Sequence, residues 1–159
     1  MIKNQEADGS WYGRWGMTYI YGTWATVTGL TSLPPDPRHR SVRKATRWLL
    51  SVQNPDGGWG ESCRSDLDRR YTPLGFSTPS QTAWALDALI AAGEHENPAV
   101  LQEIECLADL IESTGVETSY PTGAGLPGGF SIHYHSYRYV WPLIAFSHFA
   151  MRHRPKPSQ

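Results

Sequence analysis

The chain has 159 residues, which suffices for one compact domain, and its 14 basic and 15 acidic residues leave a net charge of −1. This balance offers no basic surface for nucleic acid, so we expect no nucleic-acid partner. Cys63 and Cys106 are too few for a disulfide framework and lack the spacing of zinc ligands. No apolar run approaches the ~20 residues of a membrane span. The sequence therefore indicates a soluble domain of a reducing compartment.

A pattern of Gln, Gly and Trp occurs twice, and each residue of the second copy follows its counterpart by 48 positions. The two copies are Gln5, Gly9, Trp11 and Gln53, Gly57, Trp59. A constant displacement of this length is typical of an internal repeat. A third copy, expected near residues 104–120, lacks all three residues, so we expect the corresponding corner to be rebuilt.

Five helices are predicted in chain order. They are 16–30, 38–53, 80–92, 98–113 and 131–153. Pro34, Pro35 and Pro37 mark the turn between the first two, and Gly93 is expected to cap the third. Pro142 should kink the last helix or end its first part. One repeat is then an αα-hairpin closed by a Gly-rich corner, and stacked hairpins form a solenoid or, when closed, an α/α toroid.

The three residues have the same spacing in both corners, and this pattern predicts a structural role for them. The Gln, at a helix end, can hydrogen-bond its own turn and the neighbouring hairpin. The Gly relieves a position where a side chain would clash. The Trp is expected to stack over the Gln amide and tie consecutive repeats together, without taking part in any chemistry.

The last predicted helix carries aromatic residues at steps of four, three and four. These are Phe130, Tyr134, Tyr137 and Trp141. On a helix they would share one face, and taken alone they favour a packing stripe. His133 and His135 are two residues apart and would point to different helical faces, so no metal site is expected there.

Several segments together identify a family. "KATRWLLSVQNPDGGW" resembles the QW repeat of the squalene and oxidosqualene cyclases. "GRWGMTYIYGTW", "GGWGESCRS", "STPSQTAWAL" and the Gly-rich run leading to Phe130 resemble the C-terminal part of bacterial squalene–hopene cyclases. The likeness covers nearly the whole chain, and its combination of motifs is more specific than any single one.

The resemblance implies a chemistry for the aromatic residues. Such enzymes fold a polyene in an apolar cavity, protonate one end and pass a carbocation along the chain, and aromatic faces stabilise that cation while excluding water. By resemblance, the cation-stabilising side chains are Trp15, Phe130, Tyr134 and Tyr137. The family carries a Phe where this chain has Leu126, which leaves the substrate and product open.

The resemblance also places the catalytic acid outside these residues. The family's proton donor lies in an Asp-x-Asp-Asp motif, which this sequence lacks. Two residues would support that acid: Tyr21, which matches a tyrosine near it, and Glu61, which matches a carboxylate of its hydrogen-bonded shell. A buried Glu with such partners has a shifted pKa; an exposed loop carboxylate is the alternative for Glu61.

We therefore expect an all-α fold, part of an α/α toroid of the α6/α6-barrel type, with residues 1–159 forming one domain at the C-terminal end of a larger cyclase. The expected function is protonation-initiated cyclisation of squalene, with no cofactor or metal. Another polyprenoid, an epoxide substrate, or a non-catalytic scaffold are the alternatives. The expected partners are the polyprenoid and the rest of the cyclase. Composition indicates a cytoplasmic location, and the resemblance implies peripheral membrane contact and dimerisation.

Overall fold

The computed structural model describes residues 2–32, 39–126 and 129–153. The domain is mostly helical, as predicted. Its helices are α1 (Thr18–Ser32), α2 (Arg40–Ser51), α3 (Arg64–Asp68), α4 (Pro79–Ala91), α5 (Pro98–Glu112) and α6 (Tyr137–Arg152). A two-stranded antiparallel hairpin, β1 (Gly123–Gly125) and β2 (Phe130–Ile132), precedes α6. Single 3₁₀ turns lie at Ile2–Asn4 and Val116–Thr118.

Helices α1, α2, α4 and α5 agree with the first four predicted helices to within a few residues. Local signals account for this agreement. The Thr78 side chain caps α4 and accepts from the backbone N–H of Gln81, and Pro79 takes the first helical position, where no N–H is needed. Gly93 follows α4 with a positive φ of 88°. The turn predicted at Pro34, Pro35 and Pro37 lies outside the described residues.

The prediction of one helix over 131–153 was wrong in its first part. Gly125 is paired with Phe130 across the β1–β2 hairpin, and α6 begins only at Tyr137. Phe130 and Tyr134 therefore do not share a helical face with Tyr137. The glycines before Phe130 allow close strand pairing, which outweighs the helical spacing of the aromatic residues. Pro142 lies inside α6 without ending it.

Helix α4 forms the centre of the core. Its residues from Pro79 to Ile90 are all buried, and it packs mainly against α6 and α1. Helix α2 instead has one apolar face, with Val42, Ala45 and Leu49 buried and its arginines turned outward. Over the described residues, no helix is long and apolar enough to cross a membrane.

Helices α1, α4 and α6 run in the same direction. Their C-terminal turns line a single cavity of about 480 Å³, with residues such as Ser32, Ala91 and Arg152 in its wall. The N-terminal ends of α1 and α6 consequently lie at the opposite side of the domain, and the residues predicted to contact substrate are grouped there.

Candidate functional site

The first corner joins the N-terminal loop to two helices. Gln5 Nε2 donates to the carbonyl oxygens of Gly9 and Ser41, each at 2.8 Å, and Ser41 lies in the first turn of α2. The backbone N–H of Trp11 donates to Thr23 Oγ1 at 3.0 Å, which ties the corner to α1. These contacts fix the loop before α1 against both helices.

The second corner repeats this arrangement. Gln53 Nε2 donates to the carbonyl oxygen of Gly57 at 2.8 Å and to that of Ala99, in α5, at 3.5 Å. The N–H of Trp59 donates to Thr82 Oγ1 at 3.0 Å. The corner therefore binds the end of α2 to α5 and α4.

Each corner also contains an aspartate that sequence analysis missed. Asp8 Oδ1 accepts from the N–H of Ser10, and Asp56 Oδ1 accepts from the N–H of Gly58, both at 2.9 Å. The two aspartates are again 48 positions apart, so the repeat extends beyond the Gln, Gly and Trp. Comparing the two copies residue by residue would have found them.

The corner without the repeat pattern uses a different side chain. Arg138 of α6 donates from one terminal nitrogen to the carbonyl oxygens of Ile111 and Ser113, both at 3.0 Å. These carbonyls end α5 and have no partner within the helix. The guanidinium thus binds the C-terminal end of α5, whereas the glutamines of the other two corners bind a corner glycine and the first turn of a helix.

Glu61, one of the two residues expected to support the acid, is fully buried rather than in an exposed loop. Its carboxylate accepts from the backbone N–H groups of Thr18, Tyr19 and Ile20 at 2.8–3.0 Å. These are the first N–H groups of α1, which carry the positive end of the helix dipole. Desolvation nevertheless raises the pKa of Glu61 above its ordinary value, while these hydrogen bonds oppose the increase.

Tyr21, the other such residue, lies one turn into α1 and is half-buried. Its ring contacts Trp84 edge-on at a centroid distance of 5.2 Å and Trp24 at 5.6 Å. A Cβ on Gly13 would lie 2.6 Å from a ring carbon of Tyr21, and Gly16 gives the ring room in the same way. The absence of side chains at the two glycines of "GRWG" therefore leaves space for the Tyr21 ring.

Two of the predicted cation-stabilising rings are exposed but held on one hydrogen-bonded frame. Trp15 and Phe130 are 60% and 59% exposed. The carbonyl oxygen of Trp15 accepts from the N–H of Ala124 in β1 at 3.0 Å, and β1 pairs with the strand that carries Phe130. Leu126, in the turn after β1, is also exposed. We call the surface formed by the rings of Trp15, Phe130 and Tyr134, together with the Leu126 side chain, the aromatic wall.

The aromatic wall continues into the core through α6. Tyr134 stacks on Tyr137 with ring centroids 4.6 Å apart, and Tyr137 meets Trp141 edge-on at 5.5 Å and Trp84 at 6.1 Å. Burial raises the pKa of Tyr137, and the neighbouring Tyr134 and Tyr21 add to this. Tyr21, Tyr134 and Tyr137 thus belong to one aromatic cluster.

Trp84, at the centre of that cluster and fully buried, was not singled out from the sequence. Its position within "STPSQTAWAL", a segment that resembles the family, is the sequence feature that could have identified it. His133 and His135 have ring centroids 6.4 Å apart. Within the part of the chain that the structure describes, no three His, Cys, Asp or Glu side chains form a group that could hold a metal ion.

The fold and the site define a mostly helical domain with Gln–Gly–Trp corners that displays aromatic rings at one end of its central helices. Residues 1–151 match the model of the squalene–hopene cyclase C-terminal domain. The chain therefore belongs to this family.

Individual relatives agree with this assignment. The chain is 46% identical over 154 residues to a squalene–hopene cyclase of Zymomonas mobilis, covering 94% of this chain and 23% of the relative. It is 48% identical over 145 residues to a sporulenol synthase of Bacillus subtilis (91% and 23% covered) and 46% identical over 148 residues to a squalene–hopene cyclase of Alicyclobacillus acidocaldarius (92% and 24%). The chain thus spans about a quarter of the length of the curated relatives it matches.

Proposed function

We propose that this domain is the C-terminal part of a triterpene cyclase and forms part of the wall of a cavity in which squalene or a related polyprenoid is cyclised through carbocations. The observation that carries the proposal is the aromatic wall: Trp15 and Phe130 are exposed, yet a backbone ladder fixes both in a chain closely similar to squalene–hopene cyclases.

The exposure of these rings is consistent with a role in contacting substrate. Large aromatic side chains normally gain their stabilisation by being buried in a core. A ring face toward a cavity stabilises a passing cation by ~0.5–2 kcal/mol, and more where water is excluded. Tyr134 and Tyr137 extend the same surface, so the cation meets several rings in succession.

The helix arrangement supports the toroid as the larger architecture. The parallel helices α1, α4 and α6 alternate along the chain with α2 and α5, which have exposed polar faces. An inner ring of parallel helices surrounded by an outer ring gives this alternation. We propose that the Gln–Gly–Trp corners hold the two rings together, with no chemical role for their residues.

The acid, in this proposal, comes from a part of the protein outside these residues. Tyr21 is at the end of the domain that carries the aromatic wall, where its hydroxyl could exchange a proton with the acid. Glu61 accepts hydrogen bonds from the first N–H groups of α1, directly before Tyr21, and so supports the same region. Peripheral membrane contact and dimerisation of the larger protein remain part of the proposal, supported by the resemblance alone.

A chimera tests the proposal. In it, this chain replaces the matching C-terminal segment of the Zymomonas mobilis cyclase. We expect the chimera to convert squalene into cyclic products, detected by gas chromatography, and the 159-residue chain alone to give none. The matched control is the chimera with the relative's catalytic aspartate changed to asparagine, which should be inactive. A folded chimera without product would refute the proposed function. Product from the 159-residue chain alone would refute the proposal that the acid lies outside these residues.

The substrate is the part of the proposal with a specific alternative. Leu126 stands where the resemblance implies a Phe, so the wall has one ring fewer than expected, and one close relative is named a sporulenol synthase. Offering the chimera squalene, oxidosqualene and a shorter polyprene in parallel distinguishes the substrates by initial rate.

A further inference from the structure

Glu61 connects two helices that are distant in the sequence. Its carboxylate accepts from the first N–H groups of α1, 41–43 residues earlier. Its own backbone is held by Gln81 of α4, whose Oε1 accepts from the Glu61 N–H at 2.8 Å and whose Nε2 donates to the Glu61 carbonyl at 3.1 Å. Gln81 and Glu61 are both fully buried. The start of α1 is therefore fixed relative to α4 through a single residue.

The start of α1 is in turn bonded to the hairpin. The N–H of Met17, directly before α1, donates to the carbonyl oxygen of Thr122 at 2.9 Å. Gly16 forms a bridge with Gly123, and Trp15 accepts from Ala124. The segment that leads into α1 thus acts as an additional pairing partner on the free edge of β1.

The far side of the same hairpin carries Phe130. Gly125 pairs with Phe130, and Gly123 pairs with Ile132. A shift of residues 15–17 therefore moves β1, and β1 moves the strand that presents the Phe130 ring. The backbones of Trp15 and Phe130 are therefore both held by β1, which lies between them.

From this chain of contacts we infer that Glu61 and Gln81 are positioning residues of the aromatic wall: they set where Trp15 and Phe130 stand relative to the core without touching the substrate. The inference rests on the proposed function for its consequence in catalysis, but its structural part does not. The carboxylate is suited to this task because it accepts several hydrogen bonds at once, and it meets the positive end of α1.

Glu103 provides a matched control. It is also a fully buried glutamate, on α5, but its carboxylate has no hydrogen-bond partner among the described residues. Glu61→Gln introduces amide hydrogens facing the N–H donors of Thr18 to Ile20. Glu103→Gln makes the same chemical change without disturbing the start of α1.

Amide hydrogen exchange on the 159-residue chain tests the structural part. In Glu61→Gln we expect exchange at Met17 and Ala124 to accelerate about tenfold or more relative to core amides of α4. Glu103→Gln should leave both rates unchanged relative to the same core amides, because any effect of Glu103→Gln on global stability alters the exchange of all these amides together. Faster exchange confined to Thr18–Ile20, or equal acceleration throughout the core, would overturn the inference. Should Glu61→Gln fail to fold, Ser65→Ala removes a single hydroxyl that hydrogen-bonds Glu61, and a smaller effect at the same two amides is expected.

The chimera tests the functional part. Glu61→Gln should shift products toward fewer rings, in the same direction as Trp15→Ala, while Glu103→Gln leaves the product ratio unchanged. If Trp15→Ala alters the products and Glu61→Gln does not, the positioning role is wrong. If neither Trp15→Ala nor Phe130→Ala alters them, the proposed function itself is wrong.

Discussion

The indole N–H of Trp59 donates a 3.0 Å hydrogen bond to the carbonyl oxygen of Leu49, ten residues earlier in the last turns of α2. Trp59 is fully buried, and its backbone N–H is bound to Thr82 of α4. One tryptophan thus closes the corner after α2 and joins it to the central helix. This geometry favours a structural role for Trp59.

Trp59→Ala should consequently lower the free energy of unfolding by ~3 kcal/mol or more, since it leaves a large cavity and removes the indole hydrogen bond to the Leu49 carbonyl. Urea denaturation of the 159-residue chain measures this change. The matched control is Trp15→Ala, which removes an exposed ring and should alter stability by less than about 1 kcal/mol. A Trp59→Ala chimera of normal stability with altered products would contradict the structural assignment.

The corner glycine should tolerate alanine poorly for two separable reasons. Gly9 has a φ of 108°, which an alanine adopts with strain, and its added Cβ would lie 2.7 Å from the Lys44 carbonyl oxygen. Gly75 has a similar φ of 90° but nothing within 4 Å of such a Cβ. We expect Gly75→Ala to cost ~1–2 kcal/mol from the backbone alone, and Gly9→Ala at least about 1 kcal/mol more from the clash. Equal losses in urea denaturation would show that the close approach to Lys44 is unimportant.

Glu103 gives a prediction about pH. Burial without a hydrogen-bond partner raises the pKa of Glu103 well above its ordinary value, so the folded state favours the protonated acid. Its contribution to stability is complete below the unfolded-state pKa and is lost as pH rises toward the folded-state value. Replacing it with glutamine, which is neutral throughout, should remove this decline. Glu103→Gln should therefore gain stability relative to wild type as pH increases above the ordinary Glu pKa of 4.5, measured by melting temperature across about pH 4–9. A constant difference between the two proteins over this range would contradict the burial of a neutral acid.

The parts of this structure that the sequence predicts are those with local causes. The helix ends near Thr78 and Gly93 follow from capping and left-handed glycine, which act within a few residues. The corner residues are recognisable because each copy repeats at a constant displacement. The rings of Tyr134 and Tyr137 stack, but the predicted helical face that joined them is wrong, because Tyr134 precedes α6.

The parts that it does not predict depend on distant partners. Phe130 has helical spacing from Tyr134, yet its backbone pairs with Gly125, and nothing in the spacing reveals that pairing. Glu61 reaches the start of α1 across more than 40 residues of chain. Trp84 becomes the centre of the aromatic cluster only when α1, α4 and α6 meet. Tertiary packing sets the positions of such residues, and local secondary-structure propensity carries little information about them.

The last prediction separates a substrate-facing role of the aromatic wall from simple packing. If Trp15 and Phe130 face the polyprenoid, each ring stabilises the cation at one stage, and its loss acts on that stage alone. Removing ~1–2 kcal/mol of cation stabilisation slows one ring closure by ~5–30-fold. Deprotonation of the partly cyclised cation then competes with the slowed ring closure. The Trp15→Ala and Phe130→Ala chimeras should therefore release partly cyclised products.

A packing residue behaves differently, because its loss lowers the amount of folded enzyme without favouring any one intermediate. The measurement is the product profile by gas chromatography, normalised to folded protein, with Leu143→Ala as control because Leu143 is an exposed side chain of α6 outside the wall. If both rings face the polyprenoid, the two wall variants should give different sets of partial products, since Trp15 and Phe130 lie on opposite sides of β1 and would meet the cation at different stages. Product ratios equal to those of the control would assign both rings to the protein surface rather than to the cavity.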